Sequence, residues 1–170
     1  TDPLGNLTRF EYDGAGNLTA TVDPLGNRTT IAYNAFGQPV SATDPLGNVT
    51  TFAYNSRGDL ETIQDPLGGT TTRAYDAVSR LIRQEDPLGI PTSFEYDPPN
   101  RLRKILDAKG GITEFRYDAN GNLLTVTDAR GGLITHTYDS MDRLATRTDP
   151  VGAIESFVYD PVANLTQHTD

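Results

Sequence analysis

The stretch that decides the fold runs from Tyr12 to Asn27 and reads YDGAGNLTATVDPLGN. It opens on Tyr-Asp followed by Gly, Ala, Gly and Asn, a composition typical of a tight hairpin loop. Leu18–Val22 then carries the β-branched residues of a short strand. The stretch closes on Asp-Pro-Leu-Gly-Asn, in which Pro presets φ, Gly accepts positive φ, and Asp can bond its own backbone two residues on. The stretch therefore predicts a turn, a strand and a second turn.

The same pattern returns every 21 residues, so that eight units account for 168 of the 170 residues. All eight tyrosines lie on this period, at Tyr12, Tyr33, Tyr54, Tyr75, Tyr96, Tyr117, Tyr138 and Tyr159. An aspartate column runs through Asp2, Asp23, Asp44, Asp65, Asp86, Asp107, Asp128, Asp149 and Asp170. A glycine column follows it at Gly5, Gly26, Gly47, Gly68, Gly89, Gly110, Gly131 and Gly152. A leucine column, interrupted by Pro39, comprises Leu18, Leu60, Leu81, Leu102, Leu123, Leu144 and Leu165. A fixed period of this length indicates a repeat architecture.

The segment before each tyrosine reads as a second strand. Period-2 geometry places Thr8, Phe10 and Tyr12 on one face and the residues between them on the other. Phe or Ile recurs two residues before the tyrosine in most units. We expect the Tyr, Phe/Ile and Leu columns to seal one face by packing on neighbouring repeats, and the opposite face to be wetted.

We therefore predict an all-β fold: 1–170 form one array of eight antiparallel β-hairpins, a long, twisted or spiralling sheet strip with essentially no helix. A 21-residue β-solenoid coil satisfies the same period, but the turn signal after Tyr-Asp favours hairpins. The chain starts and stops at the same phase of the repeat without an atypical capping unit, so we expect an uncapped slice of a longer array.

Composition narrows the function classes. Fourteen Lys and Arg stand against 23 Asp and Glu, a net charge of −9, which argues against nucleic-acid binding. The chain has no Cys, so disulfides, thiolate metal sites and cysteine nucleophiles are excluded. No apolar run reaches the roughly 20 residues that span a bilayer, so we expect no membrane insertion.

The repeat resembles the Rhs/YD-repeat family through Tyr-Asp-x-x-Gly-Asn/Arg-Leu followed by Asp-Pro-Leu-Gly-Asn-x-Thr. Clear copies are residues 12–18 and 117–123 for the first motif, and 23–27 and 44–48 for the second. Some units depart from it: Asn replaces Asp after Tyr33 and Tyr54, and residues 107–110 and 128–131 read Asp-Ala-Lys-Gly and Asp-Ala-Arg-Gly. The family's terminal self-cleavage motif and a recognisable toxin domain are not in this sequence.

This resemblance implies a strip of hairpins that can spiral into a hollow shell. Such arrays occur in bacterial polymorphic toxins, insecticidal toxin complexes, wall-associated proteins and teneurins. In the toxins the shell encloses an effector polypeptide, whereas in teneurins the array belongs to an adhesion module. The resemblance thus implies a secreted or cell-surface protein, which we expect to be bacterial and exported by a signal outside this chain.

No catalytic constellation is evident. His136 and His168 are isolated, His136 stands in the Phe/Ile column, and neither is spaced to activate a nucleophile. The many carboxylates recur in every unit, whereas a catalytic pair needs two distinct environments. We therefore predict that the chain is not an enzyme and uses no cofactor.

Three ligand patterns have simpler explanations. Residues 118–122, Asp-Ala-Asn-Gly-Asn, faintly resemble a Ca²⁺ loop, but turn chemistry accounts for the same residues and we expect no metal. Glycosylation sequons stand at Asn6, Asn17, Asn27, Asn48 and Asn164, where a turn Asn enters a Thr-rich strand. The tyrosines could stack sugars, although packing within the sheet is the favoured interpretation.

A cationic cluster is offset by Glu85, Asp86, Glu95 and Asp97, and we interpret it as a solvated face; it comprises Arg80, Arg83, Arg101, Arg103 and Lys104. The sequence thus favours a non-catalytic wall segment of a toxin-enclosing shell. An extended stalk, filament or adhesin, continued by identical copies end to end and able to bind glycans, is the alternative. Expected partners are neighbouring repeats and an encapsulated effector.

Overall fold

The computed structural model describes Gly5 and residues 7–170, so Asp2, Asn6 and the turn expected at residues 1–3 lie outside the described residues. The described part is all strand and turn, which confirms the predicted all-β class. It contains no helix that is long and apolar enough to cross a membrane. Contacts between Cα atoms divide the chain into two compact units, Thr1–Ile90 and Pro91–Asp170.

Each unit contains eight strands of four to six residues. The first holds β1 Arg9–Tyr12, β2 Leu18–Val22, β3 Arg28–Tyr33, β4 Pro39–Thr43, β5 Val49–Tyr54, β6 Leu60–Gln64, β7 Thr70–Tyr75 and β8 Leu81–Glu85. The second holds β9 Pro91–Tyr96, β10 Leu102–Leu106, β11 Ile112–Tyr117, β12 Leu123–Thr127, β13 Leu133–Tyr138, β14 Leu144–Thr148, β15 Ile154–Tyr159 and β16 Leu165–Thr169.

Within each unit every strand pairs antiparallel with the next strand in sequence. Stacked solenoid coils would instead bring strands 21 residues apart side by side. The sheet is therefore a hairpin meander. Tyr-Asp turns lie along one edge of each unit and Asp-Pro turns along the other, because consecutive hairpins reverse direction.

The hairpins of the Tyr-Asp turns carry a β-bulge that simple alternation does not predict. In β5 and β6, Ala53 pairs with Thr62, but the next pair is Tyr54 with Leu60, so Glu61 is the extra residue. The same shift recurs in all eight Tyr-Asp hairpins, whereas the hairpins of the Asp-Pro turns keep a regular register. Paired residues of an antiparallel ladder share a face, so the bulge moves the leucine onto the tyrosine face.

The two faces differ in exposure, although neither is sealed. Phe52, Tyr54 and Leu60 on the tyrosine face are half-buried, while Ala53 on the opposite face is exposed. Among the described residues, Ala20 is the only fully buried apolar residue, at 1% exposure. The tyrosine face was expected to be sealed, and this expectation is wrong because its side chains are only half-buried. Each unit is a single sheet, so side chains cover one another laterally but nothing in the described chain packs on top of them.

The burial of Ala20 has a local cause on the face opposite the tyrosines. Ala20 lies in β2, paired with Glu11 of β1 and Thr30 of β3. Arg28 of β3 donates two hydrogen bonds to Glu11 of β1, at 2.6 and 2.7 Å, and so reaches across β2. A bidentate ion pair over a small residue excludes water from it, which makes this the best-covered point of the described chain.

Candidate functional site

Five tyrosines of the column link their hairpin to the one before it. Each of these hydroxyls donates to the main-chain carbonyl 15 residues earlier, where the preceding even-numbered strand begins. The distances are 2.8–3.0 Å for Tyr33 to Leu18, Tyr54 to Pro39, Tyr75 to Leu60, Tyr117 to Leu102 and Tyr138 to Leu123. These carbonyls lie beyond the last pair that their strand makes with the following strand, which for β6 and β7 is Thr62 with Thr72, and the hydroxyl satisfies them. The tyrosines therefore act as clamps between repeats.

The leucine column faces the tyrosines directly. Leu60 pairs with Tyr54 and Leu123 with Tyr117 across the bulged hairpins. The column is half-buried except at Leu165 in the last hairpin, which is exposed. Ring and leucine thus cover each other, as a cross-strand pair on one face does.

Both kinds of turn share one construction. The N–H of the first turn residue donates to the carbonyl four residues on, and the N–H three residues on donates back, at 2.8–3.3 Å in all fifteen described turns. The residue three positions on has positive φ throughout. A type I turn followed by a left-handed residue is a common hairpin connection. The glycine column supplies that residue in every described Asp-Pro turn, with φ of 76–90° from Gly26 to Gly152.

The Asp or Asn that begins each turn caps it with its side chain. Its Oδ1 accepts the N–H four residues on at 2.7–3.0 Å in every described turn. In most turns it also accepts the N–H two residues on, as Asp23 does from Leu25 at 2.8 Å. The recurrent aspartates are therefore turn caps.

The second carboxylate oxygen accepts a hydrogen bond from the side chain four positions on wherever that side chain is a donor. Asp23 Oδ2 accepts from the Asn27 side chain at 2.7 Å, and Asp139 Oδ2 accepts from Arg143 Nε at 2.7 Å. These side-chain bonds are the first cause of a lowered pKa at six caps, Asp13, Asp23, Asp44, Asp118, Asp139 and Asp160. A hydrogen bond to the ionised form favours that form.

In the two turns that begin with Asn, the direction of the side-chain hydrogen bond between the cap and the fourth residue is reversed. Asn34 Nδ2 donates to Gln38 Oε1 at 3.0 Å, and Asn55 Nδ2 donates to Asp59 Oδ2 at 2.8 Å. In the turns that follow a tyrosine, an acceptor cap is thus paired with a donor, and a donor cap with an acceptor. The departures from Tyr-Asp after Tyr33 and Tyr54 are thus compensated within the same turn.

Arginines at this fourth position also join neighbouring turns. Arg101 Nη1 donates to the carbonyl of Asp118 at 2.9 Å, and its guanidinium lies 4.6 Å from the Tyr117 ring centroid. Arg143 repeats this with the carbonyl of Asp160 at 2.9 Å and the Tyr159 ring at 4.8 Å. Cation–π contact occupies one face of each ring, so these two tyrosines are not open platforms for stacking sugars.

The predicted cationic cluster is a set of ion pairs. Arg80 and Arg101 are half-buried and pair with turn aspartates Asp76 and Asp97. The other three pair with glutamates: Arg83 with Glu85, and both Arg103 and Lys104 with Glu95. The solvated-face interpretation therefore describes Arg83 and Arg103, which are exposed, but not the two turn arginines.

The two histidines lie apart on the tyrosine face. His136 is half-buried, and its Nδ1 is buried without a hydrogen-bond partner. Burial, followed by the charge of Arg147 on the paired strand, lowers the pKa of His136. His168 stacks on Phe157 with ring centroids 4.8 Å apart, and its Nε2 lies 3.1 Å from Asp170. Both histidines are packed in the sheet, and no described contact places a hydroxyl nucleophile within reach of either ring.

The oxygen-rich turns are occupied by their own hydrogen bonds. Asp118 accepts both the main-chain and side-chain N–H groups of Asn122, while the Asn120 and Asn122 amides donate to Asp142. Over Gly5 and residues 7–170, no cluster of three or more His, Cys, Asp or Glu is placed to hold a metal. Turn chemistry thus accounts for the Ca²⁺-like sequence.

Four of the five glycosylation sequons lie in the described chain, and their asparagines also take part in turn hydrogen bonds. The side-chain amides of Asn17, Asn27, Asn48 and Asn164 donate to the Asp that begins their turn, at 2.7–2.9 Å. Each is therefore the donor partner of a turn cap.

Two surface features escaped the sequence analysis. Phe36 is 89% exposed and lines an open groove of about 640 Å³ with Phe52, Tyr54 and Arg57. Leucines at the tips of the Asp-Pro turns are also exposed. Phe36 and these leucines all occupy the third position of their turns, where the side chain is exposed. That turn position was the sequence signal from which their exposure could have been predicted.

These contacts define the class of protein: an all-β hairpin array in which the same side chains do the same work every 21 residues. The chain belongs to the Rhs repeat family. The RHS Repeat family matches residues 1–28, 33–71, 75–112, 100–133 and 117–154. A comparison with curated proteins found no match.

Solved toxin structures share the fold. The Tc holotoxin pore of Photorhabdus luminescens is 17% identical with a TM-score of 0.74, over 94% of this chain and 10% of that one. TcdB2-TccC3-Cdc42 is 19% identical and TcdB2-TccC3 is 18% identical, each with a TM-score of 0.75 over 95% of this chain and 11% of theirs. This chain thus spans about a tenth of the length of those chains. The likeness at these identities concerns the fold.

Proposed function

We propose that this chain is a non-catalytic wall segment of a shell that encloses a toxin or another polypeptide, within a large secreted or cell-surface bacterial protein. The family implies such a shell, and the solved structures that share the fold are toxin complexes. The enclosed partner and the export route belong to the protein as a whole, of which this chain is one stretch.

The observation that carries the proposal is repetition of contacts. Clamp, turn cap and leucine recur with the same geometry, as in Tyr33 to Leu18 and Tyr138 to Leu123. A binding or catalytic centre requires one environment that differs from the others, whereas a wall requires the same environment many times. The repeated contacts of this chain thus support a continuous sheet surface rather than a single binding or catalytic centre.

The two faces of the sheet are also compatible with a shell wall. The tyrosine face holds half-buried rings and leucines, while the opposite face exposes Ala53, Glu95 and Thr137. The polar residues of this face can stay hydrated next to an unfolded chain, and the same face also exposes Val49, Ile112 and Val158. We place this face inward.

A stalk or filament is the second candidate, and the strict 21-residue step favours it. A closed shell must be plugged, which irregular units or insertions accomplish, while a rod can repeat one unit without limit. In that case the open groove beside Phe36 would face the exterior.

Electron microscopy of the parent protein from its native source separates the two. Closed hollow particles would support the shell, and long rods with an axial repeat would overturn it. Protease protection supplies a second readout: polypeptide inside a closed shell resists digestion until the shell is opened by denaturant. Digestion of the whole protein at the same rate before and after opening would contradict enclosure.

A further inference from the structure

Asn120 and Gly121 form the one Asn-Gly pair in the sequence. Every other asparagine is followed by Leu, Arg, Ala, Val or Ser. In such a pair the main-chain nitrogen of the glycine can attack the side-chain amide carbon of the asparagine, because glycine has no Cβ that obstructs the approach. The two consecutive residues therefore supply both the electrophile and the nucleophile of one reaction.

The turn that carries this pair holds the glycine nitrogen by the longest bond of its kind. Gly121 N–H donates to the Asp118 carbonyl at 3.3 Å, whereas the corresponding distance is 2.9–3.2 Å in the other fourteen described turns. Gly121 also has the largest φ among the described glycines with positive φ, at 98°. Asn120 is exposed at the third turn position. Solvent thus reaches the pair, and its nucleophile is the least tightly held of the turn nitrogens.

The amide of Asn120 is part of a bridge to the next Tyr-Asp turn. Asn120 Nδ2 donates to Asp142 Oδ1 at 2.9 Å, and Asn122 Nδ2 donates to the same oxygen at 2.7 Å. Asp142 has φ of 58° and occupies the left-handed position that glycine fills in most turns. We call these three residues the amide bridge. A carboxylate at position 120 has no hydrogen to donate, so the bridge depends on the amide of Asn120.

We propose that Asn120 is a deamidation site and that its conversion opens the amide bridge. A bond forms between Gly121 N and Asn120 Cγ, the Cγ–Nδ2 bond breaks, and the side-chain nitrogen leaves as ammonia with the proton of the glycine N–H. The five-membered succinimide that results takes up one water. Water attack at Cγ gives aspartate, and attack at the main-chain carbonyl gives isoaspartate. The inference stands apart from the proposed shell.

The two products change the fold to different extents. Aspartate at position 120 places a carboxylate against Asp142 and removes one of its two donors. Isoaspartate also adds one carbon to the main chain inside the turn. There Asp118 N–H donates to the Asn122 carbonyl at 3.0 Å, and Asp118 Oδ1 accepts from Asn122 N–H at 2.8 Å. The lengthened turn cannot keep both bonds, so isoaspartate loosens the hairpin of β11 and β12 as well as the bridge.

Incubation of the full folded chain at pH 8 and 37 °C, followed by trypsin digestion and mass spectrometry, tests the proposal. The tryptic peptide 117–130 contains Asn120 and Asn122, and fragmentation distinguishes the two. An unincubated sample digested in parallel corrects for conversion during digestion. We expect the mass gain of an amide-to-acid conversion at Asn120 before any other asparagine, and faster at pH 8 than at pH 6, since the attacking nitrogen must lose its proton.

A sample of the same chain unfolded in urea supplies the positive control for the chemistry. Asn120 that stays unconverted in the folded chain while it converts in the unfolded chain would overturn the proposal. So would earlier conversion of another asparagine in the folded chain.

Gly121→Ala is the matched control for the nucleophile. Alanine stands at the equivalent position of another turn, at Ala163 with φ of 70°, so the variant should keep its circular dichroism. The added methyl group hinders the attack, and we expect conversion of Asn120 to slow about tenfold or more. An equal rate in Gly121→Ala would mean that the Asn-Gly pair is not the cause.

Hydrogen exchange tests the consequence for the amide bridge. Asn120→Asp reproduces the aspartate product, and the main-chain amides of residues 139–143 should exchange faster in it than in the wild-type chain. Asn120→Gln is the control, because it keeps an amide donor and would have to close a six-membered ring to react. Unchanged exchange at residues 139–143 in Asn120→Asp would overturn the link between deamidation and the bridge.

Discussion

At the scale of single residues, the side chain four positions after the cap matches the choice of Asp or Asn in each turn that follows a tyrosine. Asp118 faces a donor, Asn122, whereas Asn55 faces an acceptor, Asp59. Because a carboxylate only accepts and an amide does both, the two positions must change together. This coupling explains how the array tolerates departures from its motif.

Asn55→Asp should destabilise the third hairpin by placing two carboxylates against each other. Adding Asp59→Asn should restore most of the loss, because it rebuilds the pair seen at Asp13 and Asn17. Thermal unfolding of the two single variants and the double variant forms the cycle. Additive losses without restoration would contradict the coupling.

The left-handed turn position also has a defined cost. Gly47 has φ of 85° with open space around it, so Gly47→Ala should lower the free energy of unfolding by about 1 kcal/mol through backbone strain alone. Ala163 already occupies this conformation at φ of 70°, and Ala163→Gly should therefore stabilise. Urea denaturation measures both.

Gly14→Ala is the control for this pair. Gly14 lacks positive φ, no atom lies within 4 Å of its added Cβ, and alanine stands at the same position in other turns, such as Ala35 and Ala119. The free energy of unfolding should stay within about 0.5 kcal/mol of wild type. A loss as large as that of Gly47→Ala would mean that φ is not the cause.

At the scale of the element, the bulged hairpin is the unit that makes the tyrosine face. Without the bulge, Leu60 would point to the same face as Thr62, because side chains alternate along a strand. The extra residue, Glu61, reverses that alternation and places Leu60 opposite Tyr54. Apolar residues of both strands therefore reach one face.

Substitution of Tyr75 separates the ring from its hydroxyl. A fully buried ring would cost about 3 kcal/mol or more on replacement by alanine, but Tyr75 is half-buried, so we expect about 2 kcal/mol for Tyr75→Ala. Tyr75→Phe keeps the ring and loses the bond to the Leu60 carbonyl, at a cost of about 1 kcal/mol. Chemical denaturation checks both, and equal losses would assign the whole effect to the hydroxyl.

At the scale of the whole molecule, stability should depend on the ionisation of many turn caps at once. The pKa values of Asp23, Asp44 and Asp118 are lowered, first by the side-chain hydrogen bonds of their turn asparagines. Such groups bind fewer protons folded than unfolded, so their stabilisation is present above the unfolded pKa and is lost as pH falls through the folded pKa.

The melting temperature should accordingly fall steeply below about pH 5 and keep falling past the ordinary aspartate pKa of about 3.9. Differential scanning calorimetry from pH 7 to pH 2.5 measures this loss. Asp44→Asn should flatten the curve slightly, because one of the responsible groups is removed. A melting temperature that is constant to pH 3 would contradict the role of the caps.

A smaller effect at milder pH belongs to His136. Its pKa is lowered, first by burial and then by Arg147, so the neutral ring is favoured in the folded chain and the unfolded chain binds the proton more readily. Stability should therefore decline as pH falls through the ordinary histidine pKa of about 6.5. His136→Phe, which copies Phe115 and Phe157, should remove this decline between pH 7.5 and 5.5.

His168→Ile is the matched control, since Ile63 and Ile105 occupy the equivalent position. Thermal melts of both variants across the same pH range should leave the decline intact in His168→Ile. Loss of the decline in the control, with its retention in His136→Phe, would place the titrating group at His168.

What the sequence by itself determined is local. The turn aspartates and the left-handed glycines arise within about five consecutive residues, as in residues 23–27, where proline and glycine restrict the backbone directly, and the 21-residue period repeats these turns along the chain. The face of the aromatic residues follows from alternation alone.

Only the tertiary structure decided how the strands pair and what covers them. The turn signal already favoured hairpins over a solenoid, but the bulge opposite Tyr54 and the bond from Tyr75 to Leu60 join residues whose register a periodic sequence does not specify. The same holds for the half-exposed tyrosine face and the exposed leucines of the Asp-Pro turns, because burial depends on which layers pack together and each unit has only one layer.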